Sequence, residues 1–161
     1  MVNSDTFIRE GFDIPALSKD TAERLRQIVP AAGSIAGNPL DQFRIFQDSG
    51  HLSEILELGY RDPEVSMMVI DRLIPRSAYH LPDLPDSTPE LIDFLNNNRH
   101  RKPTVFTIET DGGDDALASK GAMMRAQFCA AGIPAFPSAG RAARALHHLC
   151  NYYAWKILPG P

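Results

Sequence analysis

The chain is 161 residues long, 43% hydrophobic and 22% charged, with a formal net charge of −4. That length suits one domain, which buries roughly 70% of its unfolded surface and so needs neither disulfide nor metal to stay folded. The negative balance argues against a nucleic-acid binder, which needs a clustered cationic field, and no apolar run reaches the roughly 18 residues of a membrane span. The front of the chain lacks the charged and apolar regions of a signal peptide, and the two cysteines have no metal-like spacing, so a reducing, cytoplasmic setting is expected.

Residues 3 to 10 have the pattern of a short helix, stopped by Gly11, which takes the left-handed cap conformation at little cost. Phe12-Asp13-Ile14 alternates apolar, polar, apolar, as a brief half-buried strand does, and Pro15 ends it. Ser18 is placed to N-cap a helix to about Val29, with Asp20 in its first turn and Ala22, Leu25, Ile28 and Val29 on one face. Pro30 closes that helix, and a polar stretch, GSIAGNPLDQF, follows at residues 33 to 43. Asp48 or Ser49 can cap the next helix, in which Leu52, Ile55, Leu56 and Gly59 recur at helical spacing.

Residues 65 to 70, VSMMVI, form the continuous apolar run of a strand covered on both faces. A Pro-rich loop is expected over residues 71 to 87, too long for a mere connector and read as packing on the sheet edge or reaching a partner. Thr88 as N-cap, with Pro89 at the first helical position, starts a helix through Asn97. The basic run Arg99-His100-Arg101-Lys102 then complements the dipole at its C-terminus. Residues 103 to 109, PTVFTIE, predict a strand, and TDGGDD the loop at its end. Asp114 or Asp115 starts a helix with Leu117, Met124, Phe128 and Ala131 in one stripe, and Gly132 caps it. Residues 133 to 136 predict a short strand, Ser138 caps a last helix to about Trp155, and residues 156 to 161 a loose tail. Cys129 and Cys150 fall on apolar helix faces and are expected to be buried thiols.

Strands alternating with helices predict right-handed crossovers and a three-layer α/β domain, with a mostly parallel sheet of four to five strands. Ligands of such sheets sit beyond the carboxyl ends of the strands, at loops that lead into helices. Three loops qualify, and their candidate ligand- or phosphate-proximal residues are Asn38 and Asp41, Gly112 and Gly113, and Ser138. For Ser138, capping its own helix is the simpler reading. Asp111, Asp114 and Asp115 lack the spacing of a calcium loop and read as a solvated turn with capping acids. His147 and His148 are adjacent in a helix and face different ways, and none of the nucleotide, hydrolase or zinc-protease motifs is present. No catalytic residue and no metal site is assigned.

Three stretches in order carry a resemblance. IREGFDIPALSKDTAERLRQIVPAAGSIAGNPLD resembles the passage in NDP-forming acyl-CoA synthetases that runs from a Gly-Leu strand through a Leu-Ser helix start to an Asn-Pro-Val-Asp motif. RDPEVSMMVI resembles the Asp-Pro strand that comes next, and AAGIPAFPSAGRAARALHHLCNYY the closing segment of the same domain. The resemblance is to the second flavodoxin-like domain, related to the C-terminal domain of the succinyl-CoA synthetase β subunit, with residues 1 to 161 as one fragment of a larger synthetase.

The resemblance implies a reaction in which a carboxylic acid and CoA are joined at the expense of ATP or GTP, through an acyl phosphate and a phosphohistidine. It implies CoA, ATP or GTP and Mg in the complete enzyme and no cofactor in this chain. The phosphorylated histidine belongs to the other flavodoxin-like domain of the family, and none of the five histidines here sits in its motif. The family's first strand and its Gly-Gly loop would lie before Met1, and HLPDLPDST is inserted where relatives connect more briefly. The implied role is interface and scaffold near the phosphate-transfer site, inactive alone. The partners would be His-bearing and ATP-grasp domains, or a chain that supplies the missing strand, with self-association as another outcome. The alternative is a stand-alone sensor of a nucleotide or phosphate.

Overall fold

The computed structural model describes residues 2–29, 35–41, 49–74, 86–110 and 114–157. Its elements run α1 (Val2–Arg9), α2 (Lys19–Ile28), α3 (Ser49–Arg61), β1 (Met68–Ile74), α4 (Thr88–Asn97), β2 (Thr104–Thr110), α5 (Asp115–Ala130), β3 (Ala135–Phe136) and α6 (Ala139–Ile157). The three strands are parallel in the order β1-β2-β3, with Ile70 opposite Phe106 and Phe106 opposite Ala135. Each crossover carries a helix, α4 then α5, as parallel pairing requires.

β2 lies in the middle of the sheet and is covered above and below, which is why Thr104 to Ile108 are all buried. On one face Ile70, Ile74, Phe106 and Ile108 meet α3, α4 and α5, and Phe106 stacks on Phe128 with ring centroids 4.0 Å apart. On the other face Val105 meets Phe7 of α1 and the small-residue stripe Ala139, Ala142, Ala143 of α6. A smaller cluster of Leu25, Val29 and Ile55 joins α2 to α3. The result is the flavodoxin-like three-layer α/β arrangement, with three strands among the described residues where four to five are expected.

Several local signals operate as expected. Gly11 has φ +88, and the amides of Gly11 and Phe12 donate to Ile8 and Phe7 carbonyls at 3.0 and 3.1 Å, a complete left-handed C-cap that Phe12 seals against Phe7. Asp114 accepts from the amides of Ala116 and Leu117 at the start of α5. Gly132, with φ +75, ends it.

Other expectations are corrected. Phe12 and Ile14 are half-buried and Asp13 is exposed, but among the described residues no strand pairs with them, so the alternation is present without a ladder. β1 starts at Met68 and continues through Ile74, because pairing with β2 rather than hydropathy sets its length; Asp71 and Arg72 are strand residues, not the start of a loop. Residues 75–85 of the expected Pro-rich loop lie outside the described residues, as do Asp48 and the end of the tail from 158. Ser87, not Thr88, is the N-cap of α4, and the Thr88 amide donates to Asp86 Oδ1 at 3.1 Å. Lys102 does not serve the end of α4: its ammonium donates to the carbonyls of Asp62, just past α3, and Val65, clasping the turn that precedes β1.

Both cysteines are free and exposed, because the inward stripe of α5 is Gly121, Met124 and Phe128, and α6 turns Leu146 and its small residues inward instead. Helix α6 runs past Trp155 to Ile157, and every side chain from 148 to 157 is exposed. Among the described residues no helix is long and apolar enough to cross a membrane.

Candidate functional site

The sequence-predicted loops separate in space. Ile35 and Asp41 pair across a small antiparallel bridge, closing residues 35 to 41 into a tight loop with a cis peptide between Asn38 and Pro39. The Asn38 side chain donates to the Pro15 carbonyl at 2.9 Å, so it ties this loop to the extended segment that follows α1. Asp41 is exposed beside it, and both residues line a cleft of about 930 Å³ between that segment and β1. Ser138 lies beyond β3, on the far side of the sheet from this cleft. Its hydroxyl accepts from the Arg141 amide at 3.4 Å, which is the capping role. Glu109, at the end of β2, takes the Ala139 amide at 2.8 Å and completes that cap. Gly112 and Gly113 lie outside the described residues. Of the three candidate residues the structure describes, Asn38 and Asp41 share a site and Ser138 does not.

Two polar features went unmarked in the sequence. The first is Asp62, 1% exposed, which accepts from the amide and hydroxyl of Ser18 at 3.0 and 2.8 Å and from the Glu64 amide at 2.9 Å. Burial pushes its carboxyl up, but the hydrogen bonds from Thr21, Glu64 and Ser18 outweigh burial and hold it below its ordinary value. This carboxylate joins the Leu-Ser start of α2 to the Asp-Pro turn before β1. The Asp-Pro pair after a helix is the signal that could have found it.

The second is Arg72, a buried cation on the apolar face of β1 whose pKa burial lowers and the Asp86 carboxylate raises. Asp86 is itself held low: burial raises it, and the Thr88 hydrogen bonds with the charges of Arg72 and Lys120 prevail. Arg72, Asp86 and the first turn of α4 therefore form a charged cluster at the end of β1, where α/β sheets receive ligands. The out-of-place charge in MVIDRLI is its signal. Among the described residues no three His, Cys, Asp or Glu side chains gather closely enough to hold a metal ion.

No protein-family model and no curated protein sequence matches the chain. A solved structure does: PH0766 from Pyrococcus horikoshii OT3 superposes with a TM-score of 0.64 at 18% identity. The match covers 91% of this chain and 31% of that one, so the chain spans about a third of its neighbour's length. At this identity the likeness is one of fold.

Proposed function

We propose that this chain is a flavodoxin-like domain of an NDP-forming acyl-CoA synthetase-like assembly, an interface and scaffold beside the phosphate-transfer site that is inactive alone and works in the cytoplasm. The observation that carries the reading is Asp62. It joins two of the three stretches that resemble the family, LSKDT and RDPE, in a single buried polar knot. The fold match to about a third of a larger chain is compatible with a domain that works beside others. In this reading Asn38 and Asp41 shape the pocket edge, and His-bearing and ATP-grasp domains supply nucleophile and nucleotide, with CoA, ATP or GTP and Mg bound outside this chain.

Calorimetry of the purified chain against CoA, ATP, ADP and phosphate tests it. Silence with all four, together with acyl-CoA formation from acid, ATP and CoA once the His-bearing and ATP-grasp domains are added, is expected. Tight binding of a nucleotide or phosphate by the chain alone would replace the scaffold with a sensor, for which the Arg72 and Asp86 cluster is the place to look.

A further inference from the structure

Charge is divided along this chain. All 20 acidic residues lie at or before Asp115, and residues 116–161 hold five Lys or Arg and no acid. Two of those cations are engaged beside the sheet: Arg125 donates to the Ile108 carbonyl at 2.9 Å, and the charge of Lys120 acts on Asp86. The other three, Arg141, Arg144 and Lys156, are exposed on α6, and among the described residues none of them is in a salt bridge. Helix α6 buries Ala139, Ala142, Ala143 and Leu146 and turns its opposite side outward. On that side Arg141, Arg144, His148, Tyr152 and Trp155 follow at intervals of three or four, an exposed stripe that is basic first and aromatic after. His147, whose ring meets the Glu10 carbonyl at 2.8 Å, is the last residue of α6 that is not exposed. Beyond it Leu149, Tyr153 and Ile157 are exposed on the inner side too, Ile157 by 79%. The end of α6 therefore carries apolar or aromatic side chains on every side, with one lysine and no acid.

We infer that α6 docks on an anionic lipid surface, with Arg141 and Arg144 against the headgroup phosphates and the Tyr152 to Ile157 end sunk into the water–lipid boundary. Three features select this occupant. A helix end that is apolar on all sides is covered best by a medium that surrounds it, whereas a nucleic-acid backbone or a shallow groove covers one side. Tyr and Trp have an apolar body and a polar tip, which is what that boundary accommodates. The absence of acids from α6 complements a negative surface and opposes a second copy, whose α6 brings the same charges. The net negative charge of the chain does not oppose this docking at close range, because it belongs to the residues before α5. This inference stands on α6 and does not depend on the synthetase reading.

The test sediments the full chain with vesicles of phosphatidylcholine alone and of phosphatidylcholine with about one-third phosphatidylserine. The chain is expected to pellet with the second and to stay in solution with the first, and to be released in about 0.5 M salt. Arg141→Gln with Arg144→Gln should weaken binding roughly tenfold or more. Tyr152→Ser with Trp155→Ser should weaken it by a similar factor, and both pairs should leave the circular dichroism spectrum intact, since these side chains lie outside the core. If phosphatidylcholine alone takes the chain equally well, or if the aromatic pair leaves binding unchanged, the inference fails. It fails equally if neither vesicle pellets the chain. A labelled oligonucleotide bound in place of vesicles then gives the stripe to nucleic acid, and a dimer split by the aromatic pair gives it to a second copy.

Discussion

Removing the Asp62 carboxylate should loosen the junction between α2 and β1 more than any other single polar change. Hydrogen bonds from the Ser18 amide, the Ser18 hydroxyl and the Glu64 amide end on it, and Thr21 adds to them. A hydrogen bond to a charged acceptor contributes about 1.5–3 kcal/mol, but Ser18 is only half-buried and Glu64 is exposed, so water recovers part of the loss. Asp62→Ala is therefore expected to cost about 3 kcal/mol, which lowers the urea midpoint by about 1.5 M for a slope near 2 kcal/mol/M.

The carboxyl's pKa also gives a pH signature. Its folded value lies below its unfolded value of about 3.9, so its contribution is complete above that pH and is lost as pH falls through the folded value. Asp62→Asn keeps the shape and removes this titration, so its stability should decline less between pH 5 and pH 3 than that of the unaltered chain. Urea titrations followed by circular dichroism at several pH values measure both effects. A loss below about 0.5 kcal/mol for Asp62→Ala, or an unchanged acid slope for Asp62→Asn, would refute the knot as a stabilising element.

Gly11→Ala places a Cβ in the left-handed region with open space around it, so the penalty is conformational strain alone, about 1 kcal/mol, read as a drop in the thermal midpoint. Phe128→Ala empties the site that stacks on Phe106 and should cost about 3–5 kcal/mol in denaturant unfolding, while Phe128→Leu keeps most of the volume and loses less. Asn38→Ala removes the bond to the Pro15 carbonyl and should cost about 1 kcal/mol, whereas Asp41→Ala, an exposed side chain, should change stability by less than about 0.5 kcal/mol. If Asp41→Ala unfolds the chain, Asp41 is structural and has no place among the site residues.

What could be read in advance was governed by short-range chemistry. Gly11, Ser18 and Asp114 end or start helices through bonds to amides and carbonyls a few residues away, and the order of residue types shows such bonds directly. The strand expected at Phe12-Asp13-Ile14 failed for the opposite reason: alternation describes one strand, while a ladder needs a neighbour that the pattern cannot supply. The end of β1 was missed in the same way, since Asp71 and Arg72 look like loop residues until β2 is placed beside them. At the site, the Asn-Pro pair announced a specialised turn, but not that Asn38 reaches Pro15, 23 positions earlier. Asp62 was invisible as a hub because Ser18 lies 44 positions away. Ser138 shows the reverse, a residue whose helix-capping geometry the sequence already favoured.

The last ten residues of α6 have a spectroscopic consequence. They extend the helix by about 15 Å with every side chain in solvent. Trp155 is there, 72% exposed, and it is the chain's single tryptophan. Its indole therefore emits as a hydrated chromophore before and after the core melts, so tryptophan fluorescence is a poor gauge of unfolding in this protein. The same indole is a label-free reporter for the end of α6: acrylamide reaches it freely, and any surface that comes to rest on Tyr152, Trp155 or Ile157 shifts its emission to the blue.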